Sequence, residues 1–112
     1  MTDIDIHKVL DFMRDNSKLF AQAKAERVYL EEMRKSKKAM LMQQAELNGF
    51  KTSATQEREA YASGEYISLL EGIKSAVERE ESLRWMLIAA QAKAEVWRSL
   101  EASNRAMDRA SA

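Results

Sequence analysis

The sequence predicts an all-α protein: a long antiparallel helical hairpin of coiled-coil type that assembles into a homo-oligomeric bundle. Three observations lead there. The 112 residues contain no proline and only three glycines, none of them before Gly49. Two apolar series with alternating spacings of three and four lie on either side of one corner at Asn48-Gly49. A second apolar stripe lies on the far side of the second helix, where a lone hairpin needs only one apolar face.

The first helix is expected over about residues 3–48. Its Ala, Leu, Met, Glu, Lys, Arg and Gln lose little rotamer freedom in a helix. Thr2 or Asp3 can cap it, and Asp3 and Asp5 suit the positive end of its dipole. At ~1.5 Å per residue it would be on the order of 65–70 Å long, so it needs support along its side. The heptad seam that supplies it holds Val9, Phe12, Asn16, Leu19, Ala23, Glu26, Leu30, Met33, Lys37, Met40, Gln44 and Leu47. Met13, Phe20, Val28, Tyr29 and Leu41 fall off that seam and add to the expectation of a further packing surface.

The turn is expected at 49–53. Asn48 and Gly49 both tolerate the left-handed conformation that ends helices, and Phe50 can fold back on the last turn. Ser53 and Gln56 have the spacing of a capping box for the next helix. So short a connection favours an antiparallel return. The second helix is expected over about 54–108, continuous but with a weak point at Ser63-Gly64, where the residues could split off a short helix at 54–62 or merely kink a long one. Its seam is Ala62, Tyr66, Leu69, Ile73, Ala76, Glu80, Leu83, Leu87, Ala90, Ala94 and Trp97, and the phase survives Gly64 and Gly72. Gly72 would allow close helix approach, and the tail after Asn104 is expected to fray.

A corner near residue 51 sets residue i beside roughly residue 102 minus i. Lys24 and Arg27 then face Glu78, Glu80 and Glu81, while Arg34, Lys35, Lys37 and Lys38 face Glu65 and Glu71. Surface pairs contribute only ~0–1 kcal/mol each, so they specify register more than they hold the fold. The whole is read as a single helical domain.

Composition narrows the function. Lys plus Arg and Asp plus Glu number 18 each, which leaves no global basic field for nucleic acid or an anionic membrane. There is no cysteine, so disulfides, thiolate catalysis and cysteine-zinc sites are excluded. Residues 1–6 are acidic and lack the pattern of a signal peptide, and the apolar cluster Trp85 to Ala90 is far shorter than the ~20 residues that cross a bilayer. The expected setting is cytoplasmic, with no membrane partner.

No constellation points to catalysis. Glu26 and Glu80 sit on facing seams and form the one formal acid pair, but polar seam residues commonly fix register, and Lys24, Arg27 and Arg84 lie near enough to neutralise them. His7 is the only histidine and has no nucleophile to serve. No phosphate loop or metal-ligand spacing occurs. The chain therefore reads as no enzyme, with no cofactor, metal or small-molecule substrate.

Two surfaces on the second helix remain. Trp85, Ile88, Ala89, Ala92 and Val96 form the outer apolar stripe and the candidate oligomer face. Arg84, Gln91, Arg98 and Arg105 recur every seven residues beside Trp85 and Trp97, and these six are the candidate interaction edge. Arginines could hold phosphates and an indole could stack on a base, so nucleic-acid binding is the alternative reading. Glu78, Glu80, Glu81, Glu95 and Glu101 nearby favour ordinary helix-flank ion pairs instead.

The run Gln56-Glu57-Arg58-Glu59-Ala60-Tyr61-Ala62-Ser63 comes first. With it go Leu83-Arg84-Trp85, Ala89-Ala90-Gln91-Ala92, Glu95-Val96-Trp97-Arg98-Ser99 and Ser103-Asn104-Arg105. Together they resemble small uncharacterised all-helical accessory proteins of temperate phages and prophages. The resemblance covers residues 56–105. It implies an accessory role beside recombination, replication or host-takeover functions, with a host or phage protein as partner and no site residues to carry over. Secreted WxG-type hairpins share the layout, but the corner Asn48-Gly49-Phe50 lacks their tryptophan.

Overall fold

The computed structural model describes residues 3–111, all of whose regular structure is helical. Three helices follow in order: α1 (Ile6–Leu47), α2 (Ser53–Ala62) and α3 (Gly64–Ser111). Helix α1 starts three residues later than the sequence suggested. Its cap is Asp5, whose Oδ1 accepts from the backbone N–H groups of His7 at 3.1 Å and Lys8 at 3.2 Å. Two otherwise unpaired donors are thereby satisfied, a contribution of about 1 kcal/mol. Thr2, the other candidate cap, lies outside the described residues.

The corner forms as its residues dictate. Gly49 has φ of 99°, its N–H donates to the Glu46 carbonyl at 3.1 Å, and the Phe50 N–H donates to the Ala45 carbonyl at 3.1 Å. These two bonds make a Schellman motif, which closes the orphan carbonyls of the last turn. The next cap differs from expectation. Thr52, one residue earlier than Ser53, accepts from the Thr55 N–H at 3.2 Å, and Gln56 instead donates from Nε2 to the Phe50 carbonyl at 2.8 Å. Gln56 thus ties α2 back to the corner.

The second helix is broken, against the expectation of continuity. Ser63 takes an extended conformation with φ −64° and ψ 137°, and its N–H donates to the Ala60 carbonyl at 3.2 Å. Its own carbonyl accepts from Ile67 N–H at 3.1 Å, and its Oγ from Glu65 N–H at 3.3 Å. One serine therefore closes α2 and caps α3, which is why the ladder can stop without stranding polar groups. At the other end α3 continues to Ser111, with every residue from Ala102 to Ser111 exposed.

The chain packs as two compact units, one made of Gln22–Glu80 and the other of the two ends, to Ala21 and from Glu81. In the Gln22–Glu80 unit, Leu41, Ala60 and Tyr66 form a buried cluster with Met42 against it. Tyr61 meets Tyr66 edge-on at 5.2 Å. Ala23, Ala45 and Ala76 complete that interior, so helices touch through small side chains. In the unit of the chain ends, Ala90 is the one buried residue among those described.

The seam of α3 follows the heptad expectation, since each of its positions from Tyr66 to Trp97 is buried or half-buried. The seam of α1 does not. Its covered residues include Val9, Phe12, Met13, Asn16, Phe20, Ala23, Arg27, Leu30, Met33, Lys37, Leu41 and Ala45, while Leu19, Glu26, Met40, Gln44 and Leu47 are exposed. A helix that is not overwound advances by 3.6 residues per turn and slips against a strict 3.5 repeat. Over ten turns from Val9 the slip is one residue, and the stripe arrives at Ala45 in place of Gln44. Met13, Phe20 and Leu41, which the heptad left unpartnered, are thereby covered, and only Val28 and Tyr29 of that group stay exposed.

Candidate interaction surface

Among the described residues the one buried charged side chain is structural. Glu80 sits 7% exposed on the α3 seam, and the Arg27 guanidinium grips it twice, from Nε to Oε2 and from Nη2 to Oε1 at 3.2 Å. Arg27 also donates from Nη1 to Glu31 Oε2 at 3.0 Å. The hydrogen bonds to Glu80 chiefly, then those to Glu31, raise the Arg27 pKa above its ordinary value against the opposing cost of burial. A bidentate guanidinium on a buried carboxylate fixes register; it leaves no carboxylate pair for acid–base work. Glu26 is exposed and takes no part.

The other cross-helix pair of the register is Lys37 with Glu65 at 3.5 Å, as the spacing predicted. Lys38 turns instead to Glu57 at 3.5 Å on α2 and lies 4.8 Å from the Tyr61 ring centre. Lys35 pairs with Glu32 at 3.3 Å. The basic run on α1 is thus largely neutralised by its own surroundings. Among the described residues no group of three or more His, Cys, Asp or Glu is placed to hold a metal, and no helix is long and apolar enough to cross a membrane.

The Arg and Trp residues of α3 separate into different environments. Arg84 donates to Glu81 from Nε at 3.2 and 3.3 Å and from Nη2 at 3.0 Å, while its guanidinium lies 4.8 Å from the Trp85 ring centre. Arg98 pairs with Glu95 at 3.3 Å. Gln91 and Arg105 are exposed. Trp85 is 58% exposed, whereas Trp97 belongs to the seam and is half-buried. Twelve residues at ~100° each turn the two indoles about 120° apart, so they do not share a face. The edge brings Arg84 and Trp85 together and leaves Trp97 out.

The outer stripe is a single exposed surface. Trp85, Ile88 and Val96 are 58%, 39% and 51% exposed, with Ala89 and Ala92 exposed between them. Their spacing of three, four and four follows one face of α3 for about three turns.

A further feature was not singled out from the sequence. Beside this stripe, within the same unit, Val9 and Phe12 of α1 and Met86, Ala89 and Ala90 of α3 floor a cleft of about 340 Å³, with Lys8 and Lys93 on its rim. The signal was present in the register, since residue 8 should lie beside about residue 94. Pairing of opposite charges does not reveal this level of the register, because Lys8 and Lys93 carry the same sign. No protein-family model, curated protein or solved structure matches the chain.

Proposed function

We propose that this chain is a non-enzymatic interaction protein that works as a homo-oligomer, built by covering the outer face of α3 with a second copy. The carrying observation is the exposure of Trp85, Ile88 and Val96 on one helix face, in a unit whose one buried residue is Ala90. Covering the remaining surface of such side chains contributes on the order of 1 kcal/mol each. A four-helix arrangement is the simplest way to gain it.

The resemblance of residues 56–105 to phage and prophage accessory proteins supports a cytoplasmic role in which the oligomer binds a host or phage protein, with recombination or replication machinery as the partner class. Nucleic-acid binding by the Arg/Trp edge is less favoured, because Arg84 and Arg98 are held by Glu81 and Glu95. Light scattering at micromolar concentration tests the reading. An oligomer that the double variant Trp85→Glu/Val96→Glu reduces to a monomer supports it, and a monomeric wild-type chain refutes it. Mobility shift at low and moderate salt separates the alternative, which requires salt-sensitive DNA binding.

A further inference from the structure

We infer that the lysine-rimmed cleft between the start of α1 and the middle of α3 seats an amphipathic helix of a protein partner, apolar along one face and carrying carboxylates at one end. The inference rests on the reading of the chain as a protein-binding module and adds the site and the chemistry of what it binds.

The floor is apolar, made by Val9, Phe12, Met86 and Ala89, and its two charged neighbours are both ammonium groups, those of Lys8 and Lys93. Of the other cations of the same unit, Arg14 pairs with Asp11 and Asp15, Arg84 with Glu81 and Arg98 with Glu95, while Lys18, Arg105 and Arg109 do not line the cleft. Lys8 and Lys93 have exposed side chains that make no ion pair among the described residues. Because α3 returns along α1, the two stand at the same end of the cleft, with Met86 toward the other. The site is therefore polar in one direction: cationic at one end, apolar along the rest.

A helix lying in the cleft would place side chains at i, i+3, i+4 and i+7 on the apolar floor, with its acids against the two ammonium groups. A free fatty acid fits less well, because small ligands bind where most of their surface is enclosed and this cleft lies open between two helices. A second copy of the chain fits less well too. The carboxylates beside its own exposed stripe, Glu81 and Glu95, are held by Arg84 and Arg98.

The test is fluorescence anisotropy with a labelled synthetic probe helix of roughly five turns, bearing leucines at i, i+3, i+4 and i+7 and glutamates at one end. A control probe carries lysines in place of the glutamates. The wild-type protein should bind the acidic probe and not the control. The double variant Lys8→Glu/Lys93→Glu, which alters two exposed side chains and should keep its circular dichroism, should bind the acidic probe roughly tenfold more weakly and acquire affinity for the control. Equal binding of both probes, binding of neither, or a double variant without the reversal overturns the inference. So does a drop in oligomer mass in that variant, which would make a second copy the occupant. A wild-type monomer that still discriminates the probes would refute the homo-oligomer and leave the cleft assignment standing.

Discussion

Gly72 offers a decisive measurement of how α3 is used. It lies within α3, half-buried, on a helix turn shared with Leu69 and Ile73. Its φ is not positive, and a Cβ placed on it meets nothing within 4 Å. The sequence suggested that this glycine permits close helix approach, but within one chain nothing approaches. Alanine should then gain the full difference in helix propensity, about 0.8–1.0 kcal/mol. For a domain of this size that corresponds to a rise in Tm of about 4–6 °C, read by far-ultraviolet circular dichroism. Gly49→Ala is the control of opposite sign. Its φ of 99° suits glycine alone among common residues, and alanine there should cost about 1–2 kcal/mol. If Gly72→Ala lowers Tm instead, the physical reasoning fails for the isolated chain. A loss that grows with protein concentration would identify a second chain packed on Gly72.

The remaining predictions concern the Gln22–Glu80 unit. Arg27→Leu should lower Tm because it strands the buried Glu80 carboxylate, and Arg27→Leu/Glu80→Leu should recover most of the loss. Additive losses in those melts would show that the pair does not act as a unit. Leu41→Ala should cost about 2–3 kcal/mol in denaturant unfolding, at the low end for a buried leucine, since Leu41 borders two open clefts into which water can enter. Lys38 is held above its ordinary 10.5 chiefly by its hydrogen bond with Tyr61, against the cost of burial and with help from Glu57. A raised folded value means that its stabilisation is complete below pH 10.5 and is lost as pH climbs through the raised value. Tm should fall more steeply in that range for the wild type than for Lys38→Met, and parallel profiles would exclude the effect.

Much of the fold was legible because local chemistry decided it. Asn48-Gly49-Phe50 could hardly do anything but close a helix, and the α3 seam from Tyr66 to Trp97 repeats without interruption. Arg27 was expected near residues 78–81 and meets Glu80. The misses have physical causes. The expected phase does not survive the break at Ser63: on α2 Ala60 is buried while the seam position Ala62 is exposed, and one serine satisfies both helix ends. A strict repeat also hides a slip that reaches one residue in ten turns, seen where Phe20 is covered in place of Leu19, Arg27 in place of Glu26, Leu41 in place of Met40 and Ala45 in place of Gln44. Of the candidate edge, Trp97 stood on the seam from the start, and its half-burial follows from that. The cleft escaped notice because it depends on two like charges meeting across the register.

The proposed need for a covering chain can be set against the interior itself. Among the described residues, five of the seven buried apolar side chains are alanines, and only Leu41 and Tyr66 are large. An alanine methyl contributes about 0.8 kcal/mol when covered, whereas ordering each residue's backbone costs about 1–2 kcal/mol. Half-buried seam residues narrow the gap, but Trp85, Ile88, Val96 and Met86 still keep much of their surface in water. Any chain that covers those side chains binds the folded state and not the unfolded one, so it raises stability by mass action. If the covering chain is a second copy, Tm must climb with protein concentration, and Trp85→Glu must flatten that dependence. A wild-type Tm that is constant over a hundredfold dilution would refute a second copy as the covering chain, and the lysine-rimmed cleft would then be the surface to probe.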